Sequence, residues 1–279
     1  LRTLGPKEAR VVLSLREQGR DVVGAAHIIE LLGSEPSARK VIRNLLEKGW
    51  LTRLVGGRYM LLPPERGPEN FGENNPIALA AAAFEPSYVG WWPAASFHGF
   101  TTQKPMTITV AALRQIPART IEGTDVRFVK VAARRFFGFK TYDVYGRNAS
   151  ISDPEKTLVD CFDRPDLCGG PAELARIVHG AMDMIDHRKL VETALAMKSA
   201  ALLQRLGFLF DLVGRPLPED LKEKIRSTIP KSRRSVFGRK ERREGDVGYV
   251  AAWGLFVHAS RSDLLADVPR TKPRNPLPC

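Results

Sequence analysis

Cysteine is scarce: the 279 residues hold three, Cys161, Cys168 and Cys279. Their spacing fits no metal site, and an odd number of scattered thiols suits a reducing compartment, so a cytoplasmic location is expected. No apolar run approaches the roughly 20 residues that a bilayer-crossing helix needs. The N-terminus lacks the basic, apolar and small-residue succession of a secretion signal, so neither membrane insertion nor export is expected. Acidic residues are in deficit, 31 against 43 basic, which leaves a formal net charge of +12. That balance favours a polyanionic partner, although a merely basic surface is compatible with it.

Catalytic signatures are missing as well. His27, His98, His179, His187 and His258 are dispersed, and none has a carboxylate or cysteine at a recurring ligand spacing. Ser96-Phe97-His98-Gly99 is not a nucleophile elbow, and no glycine loop is built to cradle phosphate. Asp153, Glu155, Asp160, Asp163 and Asp166 form a carboxylate-rich stretch from which a metal-dependent nuclease would have to draw its ligands. Glu155 adjoins Lys156 directly, so an acid-x-lysine pattern is absent. Ser152-Asp153-Pro154-Glu155 instead starts a helix, with a cap and a first-turn proline. No metal, no cofactor and no enzymatic activity are expected.

What the chain does have is concentrated between Glu35 and Pro63. Ala38, Val41, Ile42, Leu45 and Leu46 recur at helical spacing, while Ser37, Lys40, Arg43, Asn44 and Glu47 point the other way. Gly49 stops this helix, and Trp50 to Leu54 and Tyr59 to Leu62 are short apolar runs divided by Gly56-Gly57, a hairpin signal. Pro6 opens an earlier helix with Ala9, Val12 and Leu13 inward, and Gly24 to Leu32 forms a second, closed by Gly33. Three helices and a wing read as a winged helix-turn-helix over residues 1–63, a module that places its last helix in the major groove. Arg43 and Asn44 suit base edges, Arg39, Lys40 and Lys48 suit phosphates, and Ser37 shares their face. Arg53 and Arg58 flank the hairpin turn within reach of phosphate or the minor groove. The partner this predicts is double-stranded operator DNA.

Pro63 to Pro68 holds three prolines and a glycine, and residues 64–76 read as a linker. Residues 77–279 read as a larger mixed α/β domain, giving an α+β fold class overall. Ile77 to Phe84 is a predicted helix and Tyr88 to Thr102 an irregular aromatic segment in which a buried cluster of Trp91, Trp92, Phe97 and Phe100 is expected. Met106 to Ala112, Val126 to Val131 and Asp143 to Ile151 are β-prone. Helices follow over Asp153 to Phe162, around Leu174 to Ala181 and over Leu202 to Val213. Lys231 to Arg243, with seven basic residues and one acid, reads as a mobile basic loop, and Gly248 to Ala259 as a closing strand.

Several segments resemble the AbiEi family of type IV antitoxins, also described as predicted transcriptional regulators of viral defence systems. They are Leu45 to Leu51 with the wing, Tyr88 to Gly99, Arg134 to Gly138, Ile151 to Asp160 and the final Trp253-Gly254-Leu255. Trp91-Trp92-Pro93 stands where the family more often has smaller residues. The resemblance implies an antitoxin of an abortive-infection toxin-antitoxin system that represses its own operon and counters a nucleotidyltransferase-like toxin. A ligand-responsive transcription factor and, less favoured, a metal-dependent nuclease are the alternatives.

Overall fold

The computed structural model describes residues 3–62, 75–144 and 147–268 of a mixed α+β chain. Most of the expected linker, including all of Pro64 to Pro68, lies outside the described residues, as does Cys279. Asn75 and Pro76, its last two positions, cap and open a helix. Among the described residues no helix is long and apolar enough to cross a membrane. The chain forms two compact units.

The first unit is drawn from Leu1–Val89, Met106–Val131 and Thr141–Ile151. It begins with α1 (Pro6–Glu17), β1 (Val22–Gly24), α2 (Ala25–Leu32), α3 (Glu35–Glu47), β2 (Leu51–Arg53) and β3 (Arg58–Leu61). Gly33 ends α2 in the left-handed region, and Gly56 and Gly57 both take positive φ, as a two-residue hairpin turn requires. β2 and β3 pair antiparallel, and β1 adds to the far side of β3. Val11, Val12, Leu15, Ile28, Val41 and Leu45 form the core of this part. Leu13 does not join them: it is 66% exposed, because Val11, Val12 and Leu15 define the inward face of α1.

Within the same unit, α4 (Pro76–Ala82) packs on a six-stranded sheet in the order β6-β7-β5-β4-β9-β8. Its strands are β4 (Ser87–Val89), β5 (Thr107–Ala112), β6 (Arg119–Ile121), β7 (Thr124–Lys130), β8 (Phe139–Asp143) and β9 (Asn148–Ser152). Of the run expected to be β-prone over Asp143 to Ile151, Asp143 ends β8 and Asn148 to Ile151 lie in β9, while the main chains of Val144 and Arg147 bond each other.

The second unit comprises Gly90–Pro105, Ala132–Lys140 and Ser152–Cys279. α5 (Trp91–Phe97) occupies the segment expected to be irregular; with apolar residues on most sides it shows no amphipathic period. α6 (Pro154–Asp163) is buried from Glu155 to Phe162 and is packed by α5, α7 (Pro171–Ala181), α8 (His187–Ala196) and α9 (Ala200–Leu212). After α10 (Glu219–Thr228) come β10 (Ser235–Gly238), β11 (Asp246–Val250), β12 (Leu255–Ser260) and α11 (Arg261–Leu265). The expected single closing strand is two, β11 and β12, paired antiparallel. The expected basic loop contains β10, which pairs parallel with β12 and buries Phe237. Arg239 and the Arg243 backbone N–H both engage Asp246, so local repulsion is relieved by a buried carboxylate.

Candidate functional site

α3 is fixed at both ends by its sequence. Ser34 accepts the Ser37 N–H at 3.5 Å, Pro36 lies in the first turn, and Gly49 at φ +67° follows the helix. With Ala38, Val41, Ile42 and Leu45 buried, Arg39, Lys40 and Arg43 project outward together. Arg39 pairs with Glu35 at 2.5 Å and Arg43 with Glu47 at 3.9 Å, both one helical turn apart. Such exposed pairs hold weakly and yield to a stronger anion.

The other expected contact residues divide. The Ser37 hydroxyl accepts a hydrogen bond from Lys7 Nζ at 3.1 Å. Asn44 and Lys48 turn toward α1, where Asn44 Nδ2 donates to Glu8 at 2.9 Å and Lys48 Nζ at 2.6 Å. Glu8, 5% exposed, also accepts the Gly5 N–H at 2.8 Å. Burial pushes its carboxyl up, but Lys48, Gly5 and Asn44 together outweigh that and hold it below the usual carboxylate range. Asn44 and Lys48 therefore join α3 to α1. Arg53 is exposed, whereas Arg58 pairs with Glu85 at 3.1 Å. Sequence reasoning missed Glu8; the one local signal was its place three residues after Gly5, where an acid reaches back to the helix start.

The second unit brings other singled-out segments together. The Asp153 N–H donates to the Gly138 carbonyl at 2.9 Å, and the Lys156 ammonium lies 5.3 Å from the Phe137 ring centroid. Lys156 is wholly buried and paired with Asp160 one turn on. His98 Nε2 bonds the Ser152 carbonyl at 2.7 Å between the rings of Phe97 and Phe100; burial lowers its basicity more than that bond raises it. The carboxylates of the Asp153 to Asp166 stretch are taken up separately. Asp153 caps α6, and Glu155 accepts from Lys189 at 2.6 Å and the Asp186 N–H at 3.0 Å. Asp163 pairs with Arg135 at 2.7 Å and Asp166 with Arg164 at 2.7 Å. Among the described residues, no three His, Cys, Asp or Glu side chains are placed to hold a metal ion.

Residues 88–212 match the family model of the AbiEi antitoxin C-terminal domain. This segment is similar to the AbiEi antitoxin domain. The chain also shares its fold with the RV2827C protein from Mycobacterium tuberculosis. That crystal structure superposes with a TM-score of 0.67 at 18% identity, over 95% of this chain and 96% of that one. No curated protein matches the chain. Within residues 88–212 the interactions just described are structural: they cap α6, bury one ion pair and seat α5. Glu173 extends the pattern, accepting from the Trp92 indole at 3.2 Å and the Thr101 hydroxyl at 2.6 Å. The matched residues begin in β4 and end with α9, so α3 and the β10-β12-β11 sheet both lie outside them.

Proposed function

We propose that the protein is the antitoxin of a type IV toxin-antitoxin system and also the repressor of its own operon. In this reading it acts in the cytoplasm, without catalysis of its own, against a nucleotidyltransferase-like toxin. The match of residues 88–212 to the antitoxin domain supports the antitoxin role. The operator role rests on reading α1 to β3 as a winged helix-turn-helix whose α3 presents Arg39, Lys40 and Arg43 to the major groove, with Arg53 beside it from the hairpin.

Operator affinity measured against salt concentration tests the DNA half. Arg43→Ala should cost about 1 to 3 kcal/mol and relax base preference, since a guanidinium bonded to a guanine edge discriminates by that amount. Lys40→Ala should weaken all sequences alike and reduce the salt slope by about one. Unchanged isotherms for both variants would remove α3 from the reading. Growth rescue on co-expression with the proposed nucleotidyltransferase-like toxin tests the antitoxin half.

A further inference from the structure

The C-terminal sheet turns an apolar row outward. Val236, Phe256 and Tyr249 are register neighbours across β10, β12 and β11, and all three are exposed, as is Val247. Alternate residues Phe237, Leu255 and Val257 are buried, so the outward placement follows from strand period rather than from fraying. The rings of Tyr249 and Phe256 lie 4.9 Å apart and tilted, and Arg234 stacks over Tyr249 at 5.5 Å. Beside this row a cleft is lined by Arg226, Lys231, Arg233, Arg234, Tyr249 and Trp253. The exposed start of the basic 231–243 segment thus borders the exposed Tyr249 ring.

We infer that this outer face binds single-stranded RNA, with Phe256 and Tyr249 stacking on bases and Lys231, Arg233 and Arg234 holding the phosphates. A basic groove that follows the backbone, combined with aromatic faces, is how proteins hold unpaired strands. Duplex DNA keeps its base faces in the stack and offers these rings nothing. Four exposed apolar side chains are also few against the roughly 800 Å² per partner of a stable protein interface. RNA is favoured over unpaired DNA by His258, two residues along β12 from Phe256 and on the same face. Its Nδ1 lies 3.1 Å from the Arg239 carbonyl, which can only accept, so Nδ1 carries the proton and Nε2 of the neutral ring is a bare acceptor. A ribose 2′-hydroxyl can donate to such an atom; deoxyribose cannot.

Fluorescence anisotropy on the full chain, with a 12-nucleotide oligouridylate, the matching oligothymidylate and a duplex of operator sequence, tests this. Tyr249→Ala/Phe256→Ala should bind the RNA at least about tenfold more weakly and the duplex unchanged, since each stacked base contributes that much. Lys40→Ala/Arg43→Ala should do the reverse, and His258→Ala should narrow the gap between RNA and single-stranded DNA. Ultraviolet cross-linking of the unaltered protein should place the RNA on the peptides of β11 and β12, independent of how any variant folds. Absence of RNA binding, cross-links elsewhere, or an unchanged RNA isotherm in a folded ring variant would each overturn the proposal. Equal affinity for the DNA strand overturns the choice of RNA, and competition by polyglutamate as effective as by RNA would make the face a generic anion or acidic-protein surface.

Discussion

At the scale of single residues, the charged groups with the most structural consequence are the ones turned inward. Glu8 serves three donors: Asn44 of α3, Lys48 at the C-cap of that helix and Gly5 at the α1 start. Glu8→Ala leaves Asn44 and Lys48 without their acceptor and should cost about 2 kcal/mol in chemical denaturation, the usual magnitude for hydrogen bonds to a charged group. Acid should have a related effect. Because the folded state holds the Glu8 carboxyl below its usual range, the stability it supplies is present above the unfolded-state value and is lost as pH falls through the folded one. His98 adds to this at higher pH: its folded-state basicity is lowered, so below about pH 6.5 the unfolded chain takes the proton first. Melting temperature should therefore be level above pH 7 and fall on the acid side. In His98→Gln, whose amide can still donate to the Ser152 carbonyl, the decline should begin only in the carboxylate range. An identical pH profile for that variant would mean His98 contributes nothing to the decline.

At the scale of elements, close approach decides which positions tolerate change. A Cβ on Gly180 of α7 would lie 2.2 Å from the Phe100 carbonyl oxygen, and one on Gly207 of α9 would lie 2.3 Å from the Trp253 ring. The first obstacle is backbone. Gly180→Ala should cost about 3 kcal/mol or more, roughly 6 to 12 °C of melting temperature for a protein somewhat under this size. Gly24→Ala, which meets nothing within 4 Å, should cost under about 1 kcal/mol. The elements legible in the sequence were those with a stripe and a stop: α3, with its serine cap and terminal glycine, the Gly56-Gly57 hairpin, and α6 behind Asp153-Pro154. α5 was hidden because a helix buried on most sides carries no period, and β10 because its basic surroundings masked Val236 and Phe237. The exposed row on α3 was legible from spacing alone. That Asn44 and Lys48 serve Glu8 was not, since the partners lie 36 and 40 residues away and nothing local encodes the meeting.

At the scale of the whole molecule, the proline-rich stretch invites a division that compactness does not follow. The first unit holds both the three-helix part and the six-stranded sheet, and direct bonds join them. Val55 donates its N–H to the Ala83 carbonyl at 3.2 Å, and Arg147 donates to the Leu61 carbonyl at 3.0 Å while lying 4.0 Å from Asp21. A fragment from Ile77 to Cys279 leaves Arg147 without these partners; it should melt lower than the full chain, and Arg147→Ala should destabilise the full chain in the same direction. Equal melting temperatures for fragment and full chain would show that the two parts are energetically independent. Growth rescue by the fragment then tells whether antitoxicity, as proposed, resides beyond the first three helices. The Arg147 bond has a further consequence in time. It closes 86 residues after Leu61, and at about 5 to 20 residues per second of synthesis that is a delay of roughly 4 to 17 s. The first part of the protein to leave the ribosome thus waits, with a strand-end carbonyl open, for a guanidinium not yet translated, and a chain that stops short of residue 147 is released without it.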